Sequence, residues 1–395
     1  MTRDVKIGLF GFGCVGQGLY DVLNNSKNFR ADISKIVVKN KDKERPLPSK
    51  YFSFDKDEVL KNPEINLITE LIDDVDQAYD IVTNALKNGK NVVSANKKMI
   101  AENLEELVSL QKEYDTSLLY EASACASIPI IRTLEEYYDN ELLYSVRGIF
   151  NGSSNFILSK MFNEGLEYQD VLKEAQDLGF AETDPTLDVG GFDAKYKLVI
   201  IICHSYGLFV DPKEIFNYGI QNLTAFDMQY AKEKGLKIKQ IARVYKTPED
   251  EVVGYVMPQF VKPTDDLYKV DNEYNGVVVE AAFSDKQFFK GKGAGGHPTG
   301  SAVLSDISAN RYDYKYEYRK RKTDAFMRFT NDATLDVYFR YDKGVALDES
   351  KFIEINERYQ GAENAFVIGK VNLADFKEDE YFHQKGTFAI ELPVE

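Results

Sequence analysis

Cysteine is scarce in this 395-residue chain: Cys14, Cys125 and Cys203 are the three there are, and they stand far apart. That spacing excludes a disulfide scaffold and a cysteine-rich zinc site, and it suits a reducing compartment. Positive charge is also short. Lys and Arg total 49 against 64 Asp and Glu, a net charge of −15. A nucleic-acid partner, which needs a basic face, is not expected. Apolar runs are brief: the longest beside a helix-like pattern, 198–203, falls far below a membrane span. The start, MTRDVKIGLFGFG, has Asp4 and glycines where a signal peptide needs an apolar run. No membrane partner and a cytoplasmic location are therefore expected. No internal repeat or low-complexity segment stands out.

What is present fits a folded chain of two or three domains. Hydrophobic residues make up 44% and charged residues 29%, enough for a sizeable core. Residues 1–130 alternate between short apolar runs (5–10, 33–38, 65–71, 91–94, 117–121) and amphipathic stretches (15–25, 78–88, 104–114). Such alternation predicts an α/β fold, a Rossmann-like doubly wound parallel sheet with helices on both faces. Further on, helix-like 168–178, 194–206 and 224–234 precede strand-like 237–245, 252–261 and 277–283, which predicts a separate α+β domain over 131–290. A glycine loop at 291–296 leads into a helix at 301–310. From Arg311 the run RYDYKYEYRKRK reads as an exposed connector. The tail, within 311–395, carries strand-like 334–340, 365–371 and 387–392 and helix-like 350–358, a small C-terminal α+β module.

The first apolar run enters Gly11-Phe12-Gly13-Cys14-Val15-Gly16, a GxGxxG between strand and helix. The first glycine permits the turn, the second lets a pyrophosphate approach the backbone, and the third lets helix and strand pack closely. The helix N-terminus adds N–H donors and a favourable dipole. Cys14, at a variable position, reads as packing. A carboxylate ending the second strand would hold an NAD ribose. Here the strand ends Val38-Lys39-Asn40-Lys41, and the first charge is a cation. Lys39 either receives a 2′-phosphate, which favours NADP over NAD, or begins a solvated charge run.

Residues 178–197 carry Glu182, Asp184, Asp188, Asp193 and Lys197, with Pro185 and Gly190-Gly191 shaping a loop. If the segment from Phe192 is helical, Asp193 and Lys197 share a face, either as a surface ion pair or as part of a site. A further lysine, Lys97, follows the strand at 91–94, where ligands of open α/β sheets bind.

At this point the chain resembles the homoserine dehydrogenases. Residues 181–197, AETDPTLDVGGFDAKYK, fit that family's A-E-x-D-P-x-x-D-V-x-G-x-D-x-x-x-K pattern throughout. Val92-Val93-Ser94-Ala95-Asn96-Lys97, Tyr120-Glu121-Ala122-Ser123, Asn151-Gly152-Ser153-Ser154-Asn155-Phe156-Ile157-Leu158 and Gly293-Ala294-Gly295-Gly296-His297-Pro298-Thr299 agree in order. The resemblance covers roughly residues 5–310. It implies interconversion of L-homoserine and L-aspartate 4-semialdehyde with NAD(P), in the route to threonine, methionine and isoleucine. It also implies Lys97, Lys197 and Asp193 as catalytic residues and Glu182 and Asp188 as holders of the substrate, Glu182 on its ammonium. Ser94, Ala95, Asn96 and Gly295 would join Gly11–Gly16 and Lys39 around the cofactor. Between the two lysines, Lys197 is expected to be the principal acid/base and Lys97 the positioner.

The same resemblance implies a sodium ion held by Glu121, Ala124, Ala126 and Ile128, a homodimer or homotetramer, and a return of 291–310 to the first domain. The chain departs from the family at Cys125-Ala126-Ser127, where Gly-Ala-Gly is usual, at Asp73-Asp74, where a glycine pair is common, and at Lys292, where proline is. As a nucleophile Cys125 has no histidine near it in sequence, since the three are His204, His297 and His383. The tail over 311–395 is expected to be a degenerate ACT-like module, βαββαβ, or else a dimer-stabilising extension. Two other readings stay open: a related amino-acid dehydrogenase with a different small substrate, and an idle NADP-binding regulatory protein.

Overall fold

The computed structural model describes residues 4–27, 31–139, 142–322 and 327–394. The chain divides into two units, Met1–Asp139 with Gly291–Lys322, and Asn140–Lys290 with Thr323–Glu395.

In the first unit, strands β1 (Val5–Phe10), β2 (Ala31–Val37), β3 (Phe52–Ser53), β4 (Leu67–Glu70), β5 (Asn91–Ser94) and β6 (Leu118–Leu119) form a sheet in the order β3-β2-β1-β4-β5-β6. Each adjacent pair is parallel. A sheet covered on both faces buries its strands completely, and β4 and β6 are buried at every residue. Order reverses between β1 and β4, so a crevice opens beyond their carboxyl ends. Two of the following helices start on side-chain caps. Asp74 accepts the Gln77 N–H for Val75–Lys87, and Asn96 accepts the Met99 N–H for Lys97–Glu113. The Gly296–Asn310 helix packs on the Cys14–Asn25 helix through glycines. A Cβ on Gly18 would lie 2.1 Å from the Gly296 carbonyl oxygen, and one on Gly300 2.6 Å from the Leu19 nitrogen. That close approach is the reason residues near 296–310 sit with the first 139.

The supposed connector after Arg311 is not exposed throughout. Tyr316 and Tyr318 are buried beside Tyr120, whose hydroxyl lies 2.8 Å from that of Tyr318, and Gln111 donates to the Tyr316 carbonyl. Tyrosine at every second position gives this extended segment one aromatic face, and burying that face outweighs the charges between. Neither 311–315 nor the short turn Arg319–Lys322 contains a buried residue.

In the second unit, strands β7 (Leu143–Ile149), β8 (Phe216–Asn217), β9 (Lys237–Lys246), β10 (Glu251–Val261), β11 (Tyr274–Ala281), β12 (Asp285–Lys292), β13 (Arg328–Phe329), β14 (Thr334–Asp342), β15 (Glu354–Gln360), β16 (Asn364–Asn372) and β17 (Thr387–Glu391) form one mixed sheet. Its order is β12-β11-β7-β9-β10-β17-β14-β16-β15, with β8 and β13 also on β10. The tail strands thus extend the sheet of β7 and β9 to β11 rather than standing as a separate module. One core joins Ile157, Met161, Tyr255 and Phe260 to Val337, Phe339, Phe366, Phe376 and Phe388.

The expected helix at 350–358 is instead a short turn, Glu349–Lys351, followed by β15. Its Lys, Glu and Arg residues have helical propensity, but pairing with β16 overrides it. Tyr359 stacks on Phe366 at 5.1 Å, and Lys370 pairs with Glu354 at 3.0 Å across the two strands. The first helix of the expected βαββαβ pattern is therefore missing. The second is present but short, Leu373–Glu378.

Candidate active site

In the first unit the glycine loop has the shape its sequence requires. Gly11 has φ +92°, and a Cβ there would meet the Leu71 carbonyl oxygen at 2.5 Å. A Cβ on Gly16 would meet the Gly11 carbonyl oxygen, also at 2.5 Å, whereas around Gly13 there is open space. Gly13 begins the Cys14–Asn25 helix with no side-chain cap, so its first N–H groups remain available to an anion. Phe12 is buried against Phe52 at 5.5 Å, Cys14 is exposed and Val15 is half-buried.

A cavity of about 480 Å³ adjoins this loop. Its wall includes Gly11, Gly13, Lys39, Lys43, Arg45 and Asp73. Arg45 donates to the Asn40 and Lys43 carbonyls and lies over the Phe52 ring at 5.2 Å. Lys56, also in the wall, pairs with Asp80. The first charge after β2 is Lys39, and Lys43 and Arg45 join it in the wall, whereas Asp42 and Glu44 do not line the cavity. A dinucleotide fits these residues: the open space at Gly13 and the free helix terminus suit a pyrophosphate. Of the other expected cofactor residues, Ser94 is buried, Ala95 and Asn96 half-buried, and Gly295 precedes its helix at φ +111°. Lys292 is exposed.

The carboxyl end of β4 holds a residue that sequence reading missed. Glu70 has no solvent exposure; it accepts the Ile72 N–H at 2.7 Å and the Ser94 hydroxyl at 2.5 Å. Burial pushes its carboxyl up to about 7, against the pull of those two donors, and Asp73 adds a smaller upward push. A carboxyl raised on folding keeps its proton longer in the folded than in the unfolded chain. Its stabilising contribution is complete below the ordinary range near 4.5 and is lost as pH rises through about 7. Glu70→Gln should therefore flatten the fall in stability between pH 5 and pH 8, read by chemical denaturation; parallel slopes would contradict this assignment.

Glu121 is also buried. Its carboxylate accepts the Ile131 and Arg132 N–H groups at 2.8 Å each, and its own N–H donates to Asp306 at 2.9 Å. Burial, helped by the Asp306 charge, pushes Glu121 up to about 8. Ala124, Ala126 and Ile128 are buried, and Ala126 takes φ +43° without being glycine. Cys125 is buried as well.

The second unit carries the other cluster. Lys197 and Asp193, each 6% exposed, lie in the Phe192–Tyr206 helix and pair at 2.7 Å, so this is no surface ion pair. Lys197 also donates to the Phe150 carbonyl at 2.6 Å. Among the described residues these are its two partners, which leaves one ammonium N–H to give. Gly191, at φ +80°, starts the helix; a Cβ there would meet the Gln240 side chain at 2.9 Å. Asn151 organises the carboxylates: its amide donates to Asp188 at 2.7 Å and to Asp193 at 3.0 Å, while its oxygen caps the Gly152–Glu164 helix through the Ser154 N–H. Glu182 stands exposed on the loop that leads into the short Thr186–Val189 helix, which carries Asp188. Lys97, half-buried at the start of its helix, belongs to the first unit. His204 has no exposure.

A glycine turn between β1 and a helix, a strand order that reverses beside it and cations along the wall of the adjoining cavity mark a dinucleotide-binding α/β protein. The comparisons with known proteins narrow this. The profile described as homoserine dehydrogenase, NAD binding domain, matches residues 11–121, and that described as homoserine dehydrogenase matches 129–308. The Bacillus subtilis homoserine dehydrogenase is 35% identical over 316 residues, 78% of this chain and 73% of that protein. The crystal structure of a homoserine dehydrogenase from Thiobacillus denitrificans aligns over 99% of this chain and 98% of its own, at a TM-score of 0.86 and 28% identity. A hyperthermophilic archaeal homoserine dehydrogenase, solved in complex with NADPH, aligns over 80% of this chain and 99% of its own at 0.67 and 26%.

The chain belongs to the homoserine dehydrogenase family. Its activity is the NAD(P)-dependent interconversion of L-homoserine and L-aspartate 4-semialdehyde, a step toward threonine, methionine and isoleucine. No described helix is long and apolar enough to cross a membrane.

Proposed function

We propose that the enzyme works with NADP in preference to NAD, and that Lys197 with Asp193, together with Lys97, performs the catalysis. The observation that carries the cofactor preference is the wall of Lys39, Lys43 and Arg45, with a lysine and not a carboxylate as the first charge after β2. A 2′-phosphate wants charge-assisted donors there, whereas a bare ribose gains nothing from them. Replacing Lys39 and Arg45 by alanine should raise the KM for NADP about a hundredfold or more, each such hydrogen bond contributing about 1.5–3 kcal/mol, and leave that for NAD near its starting value. Equal changes in both, or a wild-type enzyme indifferent to the two cofactors, would remove the preference.

The nicotinamide supplies or accepts the hydride. The protein's part is to hold the substrate, exclude water and manage one proton. Lys197 reaches into the reaction as a fixed donor, its ammonium oriented by Asp193 and the Phe150 carbonyl. In the reductive direction it donates to the carbonyl oxygen as negative charge grows there, then gives up the proton. Asn151 keeps Asp193 turned toward Lys197 and holds Asp188 in place on its short helix. Asp188 and Glu182 supply the negative charge that the substrate ammonium needs, and Lys97 positions the reacting oxygen.

The positive φ of Ala126 gives the 121–128 loop a backbone shape that non-glycine residues seldom adopt. On that basis the carbonyls of Glu121, Ala124, Ala126 and Ile128 are proposed to receive a sodium ion. Thermal midpoints equal in sodium and choline chloride would argue against it. The scarcity and wide spacing of Cys14, Cys125 and Cys203 support a reducing, cytoplasmic location. The family resemblance supports a homodimer or homotetramer, which light scattering would read directly.

A further inference from the structure

We propose that Glu70 is a positioning residue for the reaction, holding the turn that presents Lys97 to the end of β4; this rests on the reading of Lys97 as a catalytic group. The geometry is a closed ring of hydrogen bonds joining two strand ends. Glu70 accepts the Ile72 N–H with one oxygen and the Ser94 hydroxyl with the other, at 2.7 and 2.5 Å. Ser94 Oγ accepts the Asn96 N–H at 3.1 Å, so its own proton is committed to Glu70. Asn96 Nδ2 returns to the Ile72 carbonyl at 3.1 Å, and Asn96 Oδ1 caps the Lys97–Glu113 helix by accepting the Met99 N–H at 3.0 Å. The Ala95 N–H donates to the Glu70 carbonyl at 3.2 Å.

Both carboxylate oxygens are thus engaged within the protein, and the group has no exposure. Glu70 does not touch substrate; it acts through the segment Ser94–Lys97. Packing alone would put an apolar residue at this fully buried strand end, because an unneeded carboxyl there is costly. What the carboxyl offers instead is two acceptors at one point, which lock Ile72 and Ser94 in register. Reacting groups must be held within a fraction of an ångström, and a misplacement of about 1 Å can lower a rate about a hundredfold.

The test combines steady-state kinetics with amide hydrogen exchange on the full-length enzyme. Glu70→Ala should lower kcat about ten- to a hundredfold, with the homoserine KM little changed, and should speed exchange of the amides at 72–74 and 94–99. Glu70→Gln, which keeps the shape and one acceptor, should restore most of the lost kcat. Unchanged exchange at 94–99 in Glu70→Ala, or a fall in thermal midpoint with wild-type kcat, overturns the proposal. A Glu70→Gln variant as impaired as Glu70→Ala overturns it too. Lys97→Ala measured alongside separates the two ideas: wild-type turnover in that variant defeats the catalytic reading of Lys97, whereas the exchange result bears on Glu70 alone.

Discussion

Lys197→Ala is expected to lower turnover about a thousandfold, the middle of the range that a positioned acid or base contributes, while the KM for NADP stays close to wild type. The physical argument starts from burial. An ammonium 6% exposed is stable only where its hydrogens are accepted. Two of its acceptors are identified, the Asp193 carboxylate and the Phe150 carbonyl, and these fix the direction of the third hydrogen. A donor prepared in this way is already oriented when negative charge develops on the reacting oxygen. Alanine removes the donor and the transferable proton together. It also leaves Asp193 buried with Asn151 as an identified donor, so the variant should be checked for folding by circular dichroism before its rate is read. The measurement is a single-turnover rate at saturating NADPH. A folded Lys197→Ala enzyme with unchanged turnover removes Lys197 from the chemistry and leaves Lys97 as the remaining candidate.

The Asp193–Lys197 pair was legible in the sequence because it is local: four residues on one helix face need no tertiary information. The parallel sheet was legible for a related reason, since strands buried on both sides read as apolar runs and GxGxxG marks their first turn. Asn151 was hidden although its motif was recognised, because its partners lie 37 and 42 residues away and an asparagine before a helix reads as a cap. It is indeed a cap, and its amide does the second task. Glu70 had a faint signal: a carboxylate closing the apolar run of β4 at the place where strand order reverses. Reading it needed Ser94, 24 residues on and in the neighbouring strand. The tail misled for the opposite reason. Residues 354–360 are mostly polar and exposed, as on a surface helix, and only the partner strand β16 makes them extended.

Arg340→Met is expected to destabilise the second unit by about 3–5 kcal/mol, the usual consequence of leaving one member of a buried ion pair behind. Arg340 is 1% exposed and Asp227 not at all. The guanidinium Nε donates to both Asp227 oxygens, at 3.0 and 3.1 Å, and Nη2 donates to the Asn222 carbonyl at 2.7 Å. Asp227 in turn accepts the Tyr338 hydroxyl at 3.1 Å and the Thr224 N–H at 2.9 Å, closing the capping box of the Ala225–Glu233 helix. Burial raises the Asp227 carboxyl and the Arg340 charge opposes that rise. Without Arg340 the carboxyl climbs further, so the variant's deficit should grow from pH 5 to pH 8, where the unfolded chain has already lost the proton that the folded one still holds. Adding Asp227→Asn to Arg340→Met keeps an acceptor for the helix cap and removes the stranded charge; more than half of the lost stability should return. Urea denaturation of the three proteins at both pH values decides the matter, and a deficit independent of pH would mean that lost packing, not the uncompensated Asp227, sets the loss. Because Arg340 lies on β14 and Asp227 on a helix of the same unit, this experiment also measures how firmly the C-terminal strands belong to the catalytic fold. A large value makes the tail part of the enzyme's core, and truncating it would then cost the fold rather than a regulatory response.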